Sequence, residues 1–164
     1  MLKLYNLIIQ IFSLAIKAYA LFNHKSRKWK SGRKDLFKKL NEFKSNENDI
    51  VWFHCASLGE YEQARELIKK YKMNFQNDKI LLTFFSPSGL NNYKNNTYID
   101  FVSYLPIDTQ KNAKKFLKIV KPKIAIFIKS EFWFNFLNQL NLQRIPILHI
   151  ASVFNKTDFE LKNN

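Results

Sequence analysis

Between residues 50 and 151 short apolar runs recur along this chain, each followed by a stretch in which apolar residues fall at every third or fourth position. The runs at 50–55, 79–84, 100–104, 123–128 and 146–151 predict strands, and the stretches at 58–72, 88–95, 109–120 and 132–142 predict helices. The order βαβαβαβαβ implies a parallel sheet with helices on both faces. The helix over 109–120 shows the pattern well: Ala113, Phe116, Leu117 and Val120 form one stripe, while Lys111, Lys114, Lys115 and Lys118 lie off it on a solvated face. Asp108 is expected to cap its start and Pro122 to mark its end.

The first 22 residues follow a different pattern. Lys3, Asn6, Gln10, Ser13 and Lys17 interrupt an apolar run at intervals of three or four, which places all five on one helical face. Spanning a bilayer would bring that stripe into hydrocarbon. Lying flat would keep it in water and immerse Leu4, Leu7, Ile8, Ile11, Leu14 and Phe22. The flat, monotopic helix is therefore expected, and no small-residue cleavage site follows that would mark a removable signal peptide. Directly after it come Lys25, Arg27, Lys28, Lys30, Arg33, Lys34, Lys38 and Lys39 against one acid, Asp35. Each such charge near an anionic bilayer is worth about 1 kcal/mol. The same residues also fit a solvated helix face with Leu36, Phe37, Leu40 and Phe43 packed inward, so two readings stand. The polar stretch 46–49 reads as a linker. The expected organisation is an amphipathic membrane-anchoring helix (1–23), a basic helix and linker (24–49), an α/β lobe (50–154) and a polar tail (155–164).

Composition narrows the picture. A chain of 164 residues with 46% hydrophobic and 16% aromatic content buries one core and is not disordered. A net charge of +14 points to an anionic partner: nucleic acid, phospholipid or a phosphorylated sugar. The single cysteine, Cys55, rules out an internal disulfide and reads as a small core residue. No GxGxxG follows the first strand and no GxxxxGK[ST] occurs, which disfavours a dinucleotide site or a P-loop. His24, His54 and His149 are too scattered for a metal site.

In a parallel sheet the strand ends that feed helices open on one rim, and three of these junctions carry candidate chemistry. In CASLGE, at 55–60, Gly59 would let a ligand approach the backbone and Glu60 offers a carboxylate. Ser57 stands three residues before Glu60, so a capping box explains the same acid without any function. In TFFSPSG, at 83–89, Thr83, Ser86 and Ser88 supply hydroxyls and Pro87 with Gly89 shapes the turn, which suits phosphate or carboxylate; an ordinary serine N-cap is the alternative. In IFIKSEFWF, at 126–134, Glu131 is a second acid at the rim, or one that merely favours a helix start capped by Ser130. Trp133 with Phe132 and Phe134 reads as core rather than as a sugar-stacking platform.

FHCASLGE, TFFSPSG, YLPID at 104–108, KPKIAIFIKSEFW at 121–133 and GRK at 32–34 occur here in order and, with the apolar N-terminus, resemble the N-terminal half of the lipopolysaccharide Kdo transferases over about residues 1–154. The resemblance implies a GT-B glycosyltransferase of two Rossmann-like lobes, with this chain as the acceptor lobe and the C-terminal, donor-binding lobe absent. It implies transfer of Kdo from CMP-Kdo to a lipid A precursor, with Glu60 as general base and Glu131 as a second active-site acid. Ser57, Gly59, Ser86, Ser88, Gly89 and Arg33 would contact substrate. No metal or other cofactor is implied. The expected setting is the cytoplasmic face of the bacterial inner membrane, on an anionic surface. Because NKTDFELKNN reads as a polar tail, a truncated chain inactive on its own is expected, the alternative being a non-catalytic membrane- or glycolipid-binding remnant. A nucleic-acid binder is disfavoured, since no recognisable module accompanies the charge and the basic cluster adjoins an apolar helix better suited to lipid.

Overall fold

The computed structural model describes residues 2–19, 27, 31–43, 49–129 and 132–150. Five strands, β1 (Ile50–Cys55), β2 (Lys79–Phe84), β3 (Phe101–Tyr104), β4 (Ile124–Ile128) and β5 (Ile147–Ile150), form one sheet in the order β3-β2-β1-β4-β5. Every pairing is parallel. The helices are α1 (Leu2–Tyr19), α2 (Leu36–Phe43), α3 (Leu58–Asn74), α4 (Pro87–Asn92), α5 (Gln110–Val120) and α6 (Phe134–Leu142).

β1, β2 and β4 read as unbroken apolar runs because both faces of the sheet are covered. Trp52, Leu81, Ala125 and Phe127 face one layer, built by α2, α5 and α6. Val51, Phe53, Ile80, Leu82, Ile126 and Ile128 face the other, where α3 lies and where Cys55 is buried. Trp52 is the hub of the first layer, its ring centroid 4.8 Å from that of Phe116, 5.2 Å from Phe127 and 5.6 Å from Phe136.

One sequence expectation changes at α5. Asp108 does not cap α5; Thr109 does, its hydroxyl accepting from the Asn112 N–H at 3.2 Å. Both residues are good caps, and Thr109 is the one adjacent to the first helical turn. At the other end of α5, Lys121 takes a left-handed conformation (φ 43°) with Pro122 behind it, as the pattern required. In α2, Leu36 and Leu40 are buried with Phe37 and Phe43 packed beside them, while Lys34, Lys38 and Lys39 stay exposed.

α1 departs from the polar-stripe expectation. Lys3 and Gln10 are exposed as expected, but Asn6 is half-buried, its Oδ1 accepting from Asn135 Nδ2 at 2.8 Å, and Tyr5 and Ser13 are half-buried with it. Leu4, Leu7, Ile8, Ile11 and Leu14 are exposed on the opposite side, at 53–64% of their full surface. Among the described residues no helix is long and apolar enough to cross a membrane.

Candidate functional site

An open parallel sheet binds ligands outside the C-terminal strand ends, where the strand order reverses. Here the reversal lies between β1, whose chain continues to β2 on one side, and β4 on the other. The junction after β1 ends in Glu60, and the junction after β4 carries Lys129, Phe132 and Trp133. Ser130 and Glu131, expected to hold the helix cap and the second acid, lie outside the described residues.

Glu60 is the third residue of α3 and is largely buried, with 8% of its surface exposed. Its Oε2 accepts from the backbone N–H of Ala56, so the carboxylate is folded back over the strand end. The capping box is not formed: its N3 carboxylate would accept from the N-cap N–H of Ser57, whereas Glu60 reaches one residue further back. Ser57 occupies the N-cap position in extended conformation but makes no capping hydrogen bond with its side chain. Gly59, next to Glu60, is exposed, and a Cβ built there would meet nothing nearer than Ser57 Oγ at 4.0 Å. Neither its backbone conformation nor its packing calls for glycine.

At the second junction Ser86 caps α4 by accepting from Ser88 N–H at 3.2 Å, and the two hydroxyls lie 2.7 Å apart. Ser86 N–H donates to Ala56 O at 2.8 Å, tying this junction to the one that carries Glu60. Gly89, by contrast, is fixed by packing: a Cβ there would come within 2.3 Å of the buried Phe84 ring. Thr83 points into the core, where its Oγ1 accepts from Trp52 Nε1 at 2.8 Å and pairs with His54 Nδ1 at 2.9 Å.

Arg33 reaches the same rim from the segment before α2. Its guanidinium donates to Phe85 O at 2.7 Å and Leu105 O at 3.0 Å, the carbonyls just past β2 and β3. It lies over the Phe85 and Tyr104 rings, 5.1 and 4.5 Å from their centroids. Burial pushes its pKa down to about 9, which leaves it cationic at neutral pH.

The aromatic cluster was only partly foreseen. Trp133 is half-buried, 4.6 Å from Phe85 and 5.9 Å from His54 between ring centroids, but Phe132 and Phe134 stay exposed where the chain leaves the sheet. His54 is fully buried, and burial, with the Arg33 charge nearby, pushes its pKa down to about 3. His54 is therefore neutral, and among the described residues neither its Nε2 nor Trp133 Nε1 has a hydrogen-bond partner. Asp108 is the rim residue whose role the sequence hid. Its buried carboxylate accepts the α6 N–H groups of Asn135 and Phe136, at 3.1 and 3.0 Å, which gives α6 the cap that Trp133 cannot supply. Its YLPID setting offered no local signal, because the partners lie 27 and 28 residues away.

A hollow lined by Met73–Asp78 lies on the opposite rim, beside the ion pair of Asp78 with Lys123 at 2.7 Å, away from all three junctions. Among the described residues no group of three His, Cys, Asp or Glu side chains is placed to hold a metal ion.

Residues 29–162 match the family described as 3-deoxy-D-manno-octulosonic-acid transferase (Kdo transferase), and the match continues past Phe154. The chain belongs to this family. It is 33% identical over 100 residues to the 3-deoxy-D-manno-octulosonic acid transferase of Haemophilus influenzae, covering 60% of this chain and 23% of that protein. The enzyme of the same name from Aquifex aeolicus is 34% identical over 84 residues, 51% of this chain and 23% of the relative. That of Rickettsia prowazekii is 27% identical over 131 residues, 78% of this chain and 28% of the relative. The matched stretch thus spans about a quarter of these curated relatives. The parallel sheet and its paired helices are the Rossmann-like framework expected for the N-terminal portion of a Kdo transferase.

Proposed function

We propose that this chain forms the acceptor-binding lobe of a GT-B Kdo transferase, which transfers Kdo from CMP-Kdo to a lipid A precursor. Glu60 takes the proton from the acceptor hydroxyl as that oxygen bonds to the anomeric carbon of Kdo, and the bond from that carbon to the CMP phosphate breaks with CMP leaving. Glu131 is the second acid of the site. Ser57, Gly59, Ser86 and Ser88 form the acceptor-facing part of the rim, with Gly89 buried behind them to hold the turn against Phe84, and Arg33 adds positive potential there.

One observation carries the reading: the Glu60 carboxylate is folded over the strand end at the sheet's switch point, beside a glycine that the fold itself does not require. A base placed there is pre-oriented, and the net charge of +14 favours a phosphorylated glycolipid. The test is Kdo transfer from CMP-Kdo to lipid IVA by the polypeptide carrying this lobe together with a donor-binding lobe. Transfer lost on Glu60→Gln is expected, and full activity in that variant would remove Glu60 as the base.

The same reading seats the lobe on the cytoplasmic face of the inner membrane as a peripheral or monotopic protein. The supporting observation is the exposed apolar side of α1, Leu4, Leu7, Ile8, Ile11 and Leu14, turned away from the side that Tyr5 and Asn6 dock on the lobe. Flotation with phosphatidylglycerol vesicles, lost on Ile8→Asp with Ile11→Asp, is the expected result.

A further inference from the structure

α1 touches two of the three junctions. Phe12 lies 6.4 Å from Phe85, stacked, at the β2 end, and Tyr5 meets Phe134 edge-on at 5.0 Å where α6 begins. The polar contact is more telling. Tyr5 OH donates to Asp108 Oδ2 at 2.6 Å, and the same oxygen accepts the Asn135 N–H of α6. Oδ1 takes the Phe136 N–H, and Asn135 Nδ2 bridges Asp108 O at 2.6 Å and Asn6 Oδ1 of α1. Asp108 is 1% exposed, so its carboxylate depends on these donors in place of water. The first turn of α6 and the seating of α1 therefore share one buried acceptor.

We propose that Tyr5 is a positioning residue: through Asp108 it couples the docking of α1 to the placement of the first turn of α6, the turn on which the β4–α6 junction ends. That this turn bears on transfer rests on the reading of the rim above; the coupling itself does not. Its consequence is that a membrane holding α1 against the lobe also steadies one wall of the rim.

The test is amide hydrogen exchange on the full chain. Tyr5→Phe keeps the ring and removes the hydroxyl, and the loss of one hydrogen bond to a buried carboxylate should speed exchange at Asn135 and Phe136 by about fivefold or more. Phe53 and Ile126 in the central strands should keep their rates. Unchanged exchange at Asn135 and Phe136 would overturn the coupling, and so would acceleration that extends to the central strands, which would mark a general loss of stability. Phosphatidylglycerol vesicles supply a readout that a purely structural contact would not move. They should slow exchange at the two amides in the unaltered chain and not in Tyr5→Phe, whereas protection of α1 that leaves both amides unchanged would defeat the proposal. Absence of vesicle binding would count against the membrane reading alone, and the comparison in solution would still decide the coupling.

Discussion

The carboxylate of Glu60 is held by the backbone N–H of Ala56, four residues back and one residue before the N-cap Ser57. This separates the two roles that sequence left open for the acid. A glutamine can accept the same hydrogen bond through its amide oxygen but cannot take up a proton. Glu60→Gln should therefore stay within about 1 kcal/mol of the unaltered chain in urea unfolding, reflecting only a lost favourable charge at a helix N-terminus. Transfer should fall by about 10²–10⁴-fold, the range of a missing general base. A marked loss of stability with transfer intact would return Glu60 to a capping role.

Gly59 and Gly89 should answer alanine in opposite ways. At Gly59 the added Cβ meets open space in a helical turn, so Gly59→Ala should raise stability by about 0.5–1 kcal/mol. If the acceptor approaches this face, acceptor affinity falls in the same variant. At Gly89 the Cβ would enter the Phe84 ring, and Gly89→Ala should cost about 1–3 kcal/mol. Urea midpoints and acceptor titrations on both variants check the pair. Stabilisation at Gly59 without any loss of binding would mean that its open face is not used.

The strands were legible because each is an apolar run bounded by polar residues; β1 and β2 fall on the residues that the pattern marked. What local pattern could not supply was contact across the chain. Asn6 reads as wet on a helical wheel, yet its partner Asn135 is 129 residues away. Asp108 reads as the cap of the helix it precedes, yet it caps α6, because Thr109 already fills the nearer position. α4 was expected to reach residue 95 and stops at Asn92, where Tyr93 turns extended. The three junctions stood out as candidates from residue types alone, each with a helix-capping alternative. Their common rim follows from the parallel alternation, but which junctions are neighbours follows from the strand order, which no single element encodes.

His54 should make the fold sensitive to mild acid. In the unfolded chain it titrates near its ordinary 6.5, whereas burial holds it near 3 in the folded lobe. Between those values the unfolded chain binds a proton that the folded chain refuses. Acidification below pH 6.5 therefore favours unfolding, by up to about 1.4 kcal/mol for each pH unit, and above 6.5 the effect vanishes. Comparing urea unfolding at pH 7 and pH 5 for the unaltered chain and for His54→Gln isolates this contribution from other groups. The variant should lose less stability on acidification, and equal losses would show that His54 does not titrate as a buried neutral ring.

Arg33 decides between a structural tie and a ligand contact at the rim. Its fork spans the carbonyls after β2 and β3 while its plane rests on Phe85 and Tyr104, an arrangement that a lysine ammonium cannot reproduce. Arg33→Lys keeps the positive charge. If the guanidinium chiefly ties the strand ends together, the variant should lose about 1.5–3 kcal/mol, the worth of a charged hydrogen bond, and exchange at the Phe85 and Leu105 amides should quicken. Because the charge persists, binding of an anionic acceptor should weaken only a few-fold at low salt, with a similar salt dependence. If Arg33 instead grips an acceptor phosphate directly, the order reverses: affinity drops sharply through the lost bidentate contact while the urea midpoint stays in place. The two measurements on one variant therefore separate a rim residue that shapes the site from one that touches the ligand.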